Sequence, residues 1–321
     1  MLAAIWWLSG ICQASDAAKI VGAEKCAECH KQEYAAWQQT RHFATFSSMH
    51  RTPRAQAIAQ KMGLESIKRD SVCLKCHYTE QGAGGEAVAG VSCESCHGPA
   101  ADWMNVHDDF GGKGVTEAQE TPEHKKRRIQ QSIAKGMKRP DQIVPLAAQC
   151  FLCHNVPEEK LVNVGGHPPG SSFELTSWTY GEVRHNFLTG KTNREDSPER
   201  KRVLYIVGQG LALETNLRDL SLATEKALFA VSMAKRAAAA TANLKNVDQA
   251  VKIPEVEQML AAASKAELKL NNQQALTTAA DQVGQAVQKF GASNDGSGLA
   301  AIDPLIPDSS HYKGNVFVPS D

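Results

Sequence analysis

The pentapeptide Cys-x-x-Cys-His occurs four times in the chain, as CAECH (Cys26 to His30), CLKCH (Cys73 to His77), CESCH (Cys93 to His97) and CFLCH (Cys150 to His154). For a chain of this composition even one such pentapeptide arises by chance with a probability of roughly 0.01, so four coincidences are dismissed. Two thiols three positions apart form thioethers to the two vinyl groups of one porphyrin, and the adjacent imidazole reaches the iron as proximal ligand. The expectation is four covalent haem c groups with their iron. Cys26, Cys29, Cys73, Cys76, Cys93, Cys96, Cys150 and Cys153 are the thioether positions; His30, His77, His97 and His154 are the proximal ligands.

Competing uses of cysteine fit less well. Zinc ribbons also pair Cys-x-x-Cys, but nothing in a zinc site demands His directly after the second Cys every time. A thioredoxin-type motif occurs once, near a βαβ pattern. A disulfide framework would leave one of the nine cysteines over, and 321 residues is long for such a scaffold. The balance of 35 basic and 35 acidic residues argues against a nucleic-acid binder.

Four porphyrins also constrain the fold. The class expected is mainly α with extensive irregular loops, a multihaem domain over residues 16–196 organised by its cofactors. The low aromatic content of 6% agrees, because porphyrins supply large flat apolar surfaces. Successive proximal histidines are 47, 20 and 57 residues apart, so the motifs are not a regular tandem repeat. A short helix is expected over Lys31 to Gln39. The Gly-rich stretch Gln81 to Gly90 reads as backbone passing close to a porphyrin, since no strand and helix frame it as a phosphate loop.

From Ser197 the composition changes. Ser197 as N-cap, Pro198 at the first helical position and Glu199 in the first turn open a helix. Leu213, Leu217, Leu220, Leu228 and Val231 continue an apolar stripe. Another helix opens at Pro254, and a third stripe from Leu276 to Phe290 stops at Gly291 as C-cap. Residues 197–291 therefore read as a bundle or hairpin of two to four helices without Cys or His, and residues 292–321 as an extended tail. At the other end, MLAAIWWLSGICQAS is too short to span a bilayer and reads as the apolar core and cleavage region of a signal peptide, residues 1–15. Cleavage would remove Cys12, the ninth cysteine, and send the protein to the periplasm or the extracellular side.

Seven histidines lie outside the motifs: His42, His50, His107, His124, His167, His185 and His311. EKCAECHKQEYAAWQQTRHFATF together with GVSCESCHGPAADWMNVH resembles the tetrahaem cytochrome c-554 family over roughly residues 22–185. That resemblance implies distal iron ligands at His42 and His107, and a third from beyond the fourth motif, where His167 and His185 both stand and the match does not choose. The family's second haem is five-coordinate, so the haem of His77 is open to either outcome. His50, His124 and His311 read as ordinary histidines. His124 begins HKKRR, either a docking patch for an acidic partner or a solvated face. Arg41 and Arg184 are candidates for pairing with haem propionates, and Trp37 for packing on a haem edge.

The function that follows is electron transfer through closely spaced, mostly bis-His haems, with no catalytic residues. The resemblance implies a periplasmic shuttle that takes electrons from an upstream dehydrogenase, hydroxylamine oxidoreductase in the best-known case, and passes them to a downstream cytochrome or quinone-linked complex. One alternative is a reductase for a small nitrogen or sulfur compound, such as nitric oxide, at a five-coordinate haem. Another is a haem subunit that assembles, or oligomerises, through its C-terminal helices.

Overall fold

The computed structural model describes residues 16–69 and 71–319. The signal-peptide reading and Cys12 lie outside the described residues.

Before residue 143 the helices are short: α1 (Ala23–Ala27), α2 (Lys31–Gln38), α3 (Arg41–Ser48), α4 (Pro53–Met62), α5 (Leu74–His77), α6 (Cys93–His97), α7 (Met104–His107) and α8 (Pro122–Ala134). Local chemistry explains several starts. The Thr40, Thr52 and Thr121 side chains accept from backbone N–H groups in the first turns of α3, α4 and α8, and Pro53 and Pro122 follow at the first helical position. Gly63, left-handed at φ 69°, ends α4. The expected helix after the first motif is α2.

The Gly-rich stretch forms a hairpin, β1 (Thr79–Gln81) paired antiparallel with β2 (Glu86–Ala89), with Gly82 and Gly85 supplying the positive φ of its turn. Its Gly90 does pass something closely, but the neighbour is protein. A Cβ there would lie 2.1 Å from the His42 carbonyl oxygen, which accepts from the Val91 N–H. The hairpin therefore fixes α3.

The second half opens with α9 (Ile143–His154), α10 (Glu159–Asn163) and α11 (Leu175–Thr179). A two-residue hairpin, β3 (Leu188–Thr189) with β4 (Thr192–Asn193), precedes the long helices α12 (Pro198–Ser221), α13 (Leu228–Ala250), α14 (Pro254–Lys265) and α15 (Gln273–Ser293). Ser197 caps α12 through the Arg200 N–H, as its sequence indicates. α12 packs against both α13 and α15, and α14 against α15. Leu213, Leu217, Met233, Val283, Val287 and Phe290 are fully buried there, each worth about 1.5–3 kcal/mol relative to exposure.

Two sequence expectations change at the end of this region. Gly291 is not a C-cap: α15 runs on to Ser293. A Cβ at Gly291 would sit 2.5 Å from Val144 Cγ2, so the residue is small because α15 crosses α9 there. The tail is not simply extended either. Ser297–Leu305 winds into 3-10 turns that bury Leu299 and Ile302. Arg202 fixes them with a two-pronged pair to Asp303 at 2.6 and 2.9 Å.

One apolar core runs without interruption from Ile143, Val144 and Phe151 of α9 through α12–α15 to Ile302. Upstream, the other buried cluster consists of Ala59, Ile67, Leu74 and Tyr78. α9, which carries the fourth Cys-x-x-Cys-His, thus belongs to the helical core and touches α5 and α6 on its other side. Among the described residues no helix is long and apolar enough to cross a membrane.

Candidate haem sites

Each motif histidine faces one of the spare histidines. Ring centroids are 6.3 Å apart for His30 and His107, 6.2 Å for His42 and His154, 6.2 Å for His77 and His167, and 6.3 Å for His97 and His185. An iron bonded on both faces demands about this separation, since two metal–nitrogen bonds of about 2 Å and two ring radii of about 1.1 Å sum to roughly 6.3 Å. Imidazoles in simple stacking contact would approach much closer. The ring planes differ in mutual angle: 27° for the His30 pair, 59° for His42, 54° for His77 and 82° for His97.

The ring nitrogens are pre-set for this geometry. His97 Nδ1 donates to the Lys138 carbonyl at 2.9 Å, His167 Nδ1 to the Pro168 carbonyl at 2.7 Å and His185 Nδ1 to the Val183 carbonyl at 2.7 Å; His107 Nδ1 donates to the Met104 carbonyl. A carbonyl can only accept, so the proton sits on Nδ1 and leaves the Nε2 lone pair free for a metal. Burial favours the neutral form of five of these rings, as ligation requires. It pushes His77, His97 and His154 down to about 4, and lowers His42 and His185 as well.

None of the eight motif cysteines is in a disulfide. Their neighbourhoods fix an order. Cys26 lies close to Cys93 and Cys76 close to Cys153, while Cys96 and Cys150 are near enough to interact electrostatically. The helices agree: α1 touches α6, α6 touches α9, and α9 touches α5. The four sites therefore follow one another as first, third, fourth and second motif. Among the described residues no three Cys, His, Asp or Glu side chains converge as a zinc site would need. An axial pair needs only two, because a porphyrin supplies the other donors.

All four distal candidates read from the sequence, His42, His107, His167 and His185, stand in these pairs. The choice between His167 and His185 dissolves, because each faces a different motif. His50, His124 and His311 are in no such pair. His124 Nδ1 is 2.7 Å from Glu120 Oε1, and His311 lies beside Asp308 on the surface. The HKKRR run is not one patch, since His124 and Arg128 turn inward to Glu120, and Arg128 also donates to the His107 carbonyl at 2.5 Å. Arg184 pairs with Glu195 at 3.0 Å and the exposed Arg41 approaches Glu182 at 3.9 Å, so both cations already have carboxylate neighbours. Trp37 packs on Tyr34 and Phe43 and donates to the Val91 carbonyl at 2.8 Å.

Sequence reasoning missed Glu94, the acid inside the third motif. It is buried, and its two oxygens accept from the Val21, Gly22 and Ala100 N–H groups at 2.8–3.0 Å. It thus ties the segment before the first motif to the third. A charged residue between two haem cysteines flanked by small residues was the available signal.

Residues 25–98 match the family described as cytochrome c554 and c-prime. Over 157 residues the chain is 29% identical to cytochrome c-554 of Nitrosomonas europaea, a match covering 46% of this chain and 61% of that relative. The chain thus spans less than two thirds of the relative's length. No solved structure matches.

Proposed function

Starting from the similarity to the cytochrome c-554 family, which implies covalent haem c and its iron, we propose that this protein is a member of that family and an exported electron carrier with four haems, all six-coordinate. The observation that carries the reading is the repeated separation of 6.2–6.3 Å between each motif histidine and a second histidine. His30 with His107, His97 with His185, His154 with His42, and His77 with His167 would hold the irons, and the eight cysteines the porphyrin edges. When bound, the haems supply one-electron redox chemistry. The chain's own contribution is to align eight imidazoles in facing pairs, and to seat consecutive sites close together so that electrons cross short gaps.

The relay order supported by those contacts is His30, His97, His154, His77, so the first and second motifs mark its two ends. Axial positions filled in this way would suit electron transfer and leave no position for a substrate. A reductase would need a motif histidine without a partner, and each of the four has one. Redox proteins at the two ends are the partners this reading requires. Haem is attached outside the cytoplasm, in keeping with the signal-peptide reading.

Optical and EPR spectra of the ferric protein test the proposal. Wholly low-spin iron and no CO adduct on reduction are expected; a high-spin fraction near one quarter would return the His77 site to the reductase reading. The near-perpendicular rings of His97 and His185 would leave the two dπ orbitals of an iron held between them almost degenerate. That haem should therefore show the largest g-anisotropy and the His30 haem, at 27°, the smallest.

A further inference from the structure

The chain carries no net charge overall, yet its charges segregate between the two ends of the relay. From Arg51 to Lys75 the sequence holds six basic residues against Glu65 and Asp70. Around the first motif, over residues 16–33 and 102–109, there are seven acidic residues against Lys19, Lys25 and Lys31. Lys19 and Lys25 are already paired there, with Asp102 at 2.7 Å and Glu28 at 3.0 Å.

The basic segment lies on the second site. At the C-terminal end of α4, a Cβ at Gly166 would be 3.4 Å from Lys61 Nζ and one at Gly165 would be 3.1 Å from Met62, so α4 lies on the loop that carries His167. Lys68 Nζ stands 3.6 Å from the Phe46 ring centroid and 5.4 Å from that of Tyr78, the residue after His77. Arg51, Arg54, Lys61 and Arg69 are exposed, and among the described residues none of them pairs with a carboxylate; Lys75 alone of the six does, with Glu158 at 3.4 Å. Lys61 and Lys68 thus stand at the terminal site, Arg51 lies near enough to Lys68 to act on it electrostatically, and Arg54 and Arg69 add exposed charge on the same segment, where it would act on an approaching partner before any specific contact forms.

Resting on the relay reading above, we infer that the face formed by Arg51, Arg54, Lys61, Lys68 and Arg69 is the docking surface for a redox protein with an acidic face, and that electrons enter or leave through the His77 site there. The anionic surroundings of the His30 site repel the same partner, so the relay is directional in which end a given partner can reach.

The test uses the full-length, haem-loaded protein with reduced plant-type [2Fe–2S] ferredoxin, a small acidic donor, as the probe. One electron leaves the ferredoxin cluster, which is oxidised, and one ferric haem becomes ferrous. Stopped-flow rates are compared for the wild type, for R51Q/R54Q/K61Q/R69Q, and for K113Q/K126Q/R127Q/K135Q, which removes the same charge from exposed positions elsewhere. At low ionic strength the first quartet is expected to lose at least about tenfold in second-order rate and the second less than about twofold, with the gap closing at high salt. Equal losses in the two quartets, or none in either, overturn the inference. Salt-sensitive binding to phosphatidylglycerol vesicles that the first quartet abolishes, with ferredoxin rates unchanged, assigns the face to lipid and also overturns it. Haem content and low-spin spectra of each variant test the underlying relay reading separately, because they do not depend on which face the donor meets.

Discussion

The chain upstream of Ile143 and the chain downstream of it solve the packing problem differently. Downstream, α12, α13 and α15 run to 24, 23 and 21 residues and bury a continuous apolar core. Upstream, α1, α5, α6 and α7 have four or five residues, and the buried cluster there holds Ala59, Ile67, Leu74 and Tyr78. A stretch of well over a hundred residues cannot offset its conformational entropy with so small a core. The difference teaches that the downstream helices make their own core and lend it to α9, while on the proposed reading the upstream region would take its core from prosthetic groups.

The sharpest way to break this contrast is to withhold the haems. Replacing all eight motif cysteines by Ala in the full chain should leave the segment before Ile143 without cooperative structure while α12–α15 stay helical. Limited proteolysis read by mass spectrometry should then cut throughout residues 16–142 and spare residues 198–293. Protection of both regions alike would show that the upstream fold does not rest on its cofactors.

Next in size is a truncation in the self-sufficient core. Phe290, fully buried in α15, should cost about 3–5 kcal/mol as Phe290→Ala. In the satellite cluster Leu74→Ala should fall near the lower end of the usual range, about 2 kcal/mol, because fewer protein atoms surround it. Denaturant titrations followed by far-UV circular dichroism give both values, and equal costs would erase the distinction.

A polar counterpart tests what stitches the upstream region together. Glu94→Gln replaces one of the acceptor oxygens by an NH₂ facing backbone donors. The loss should be about 2–3 kcal/mol, from charge-assisted hydrogen bonds inside a buried site. Protease sensitivity should appear first around Val21 and Gly22. A loss below about 0.5 kcal/mol by the same titrations would mean that the carboxylate is incidental to the contact.

How much of this was legible beforehand follows the same divide. The motifs and the starts of α2, α12 and α14 are local patterns, and the helices begin where those patterns pointed; His42, His107, His167 and His185 were singled out by the family resemblance, and each lies opposite a motif histidine. Which histidine faces which motif was hidden, because His42 faces the fourth motif's His154, 112 residues on, and His107 reaches back to the first. Glu94, the Arg128–Glu120 brace under His107 and the Gly291–Val144 crossing depend on tertiary neighbours that no local periodicity encodes. The tail misled for a related reason: its Gly, Pro and Ser content describes turns, and Leu299 and Ile302 find a core only once α12 exists to receive them.

The smallest effect expected concerns the joint between the two regions. Asp219 of α12 is buried and accepts from Asn155, the residue after His154. Burial pushes its carboxyl up to about 7, opposed by the Asn155 hydrogen bond and by Arg218 and Arg236. Between the ordinary carboxylate range and pH 7 the folded protein holds a proton that the unfolded chain has released, so stability falls as pH rises through that window and is flat above it. Asp219→Asn keeps the acceptor for Asn155 and removes the titration. Carboxyls shifted the other way, such as Glu120 beside Arg128, stay in both proteins and cancel in the difference. The variant should gain on the wild type by an amount on the order of 1–2 kcal/mol between pH 5 and pH 7 and by nothing further at pH 8. A difference that does not change across that range would mean that Asp219 is ionised in both states, and that the two regions meet through a charge and not a shared proton.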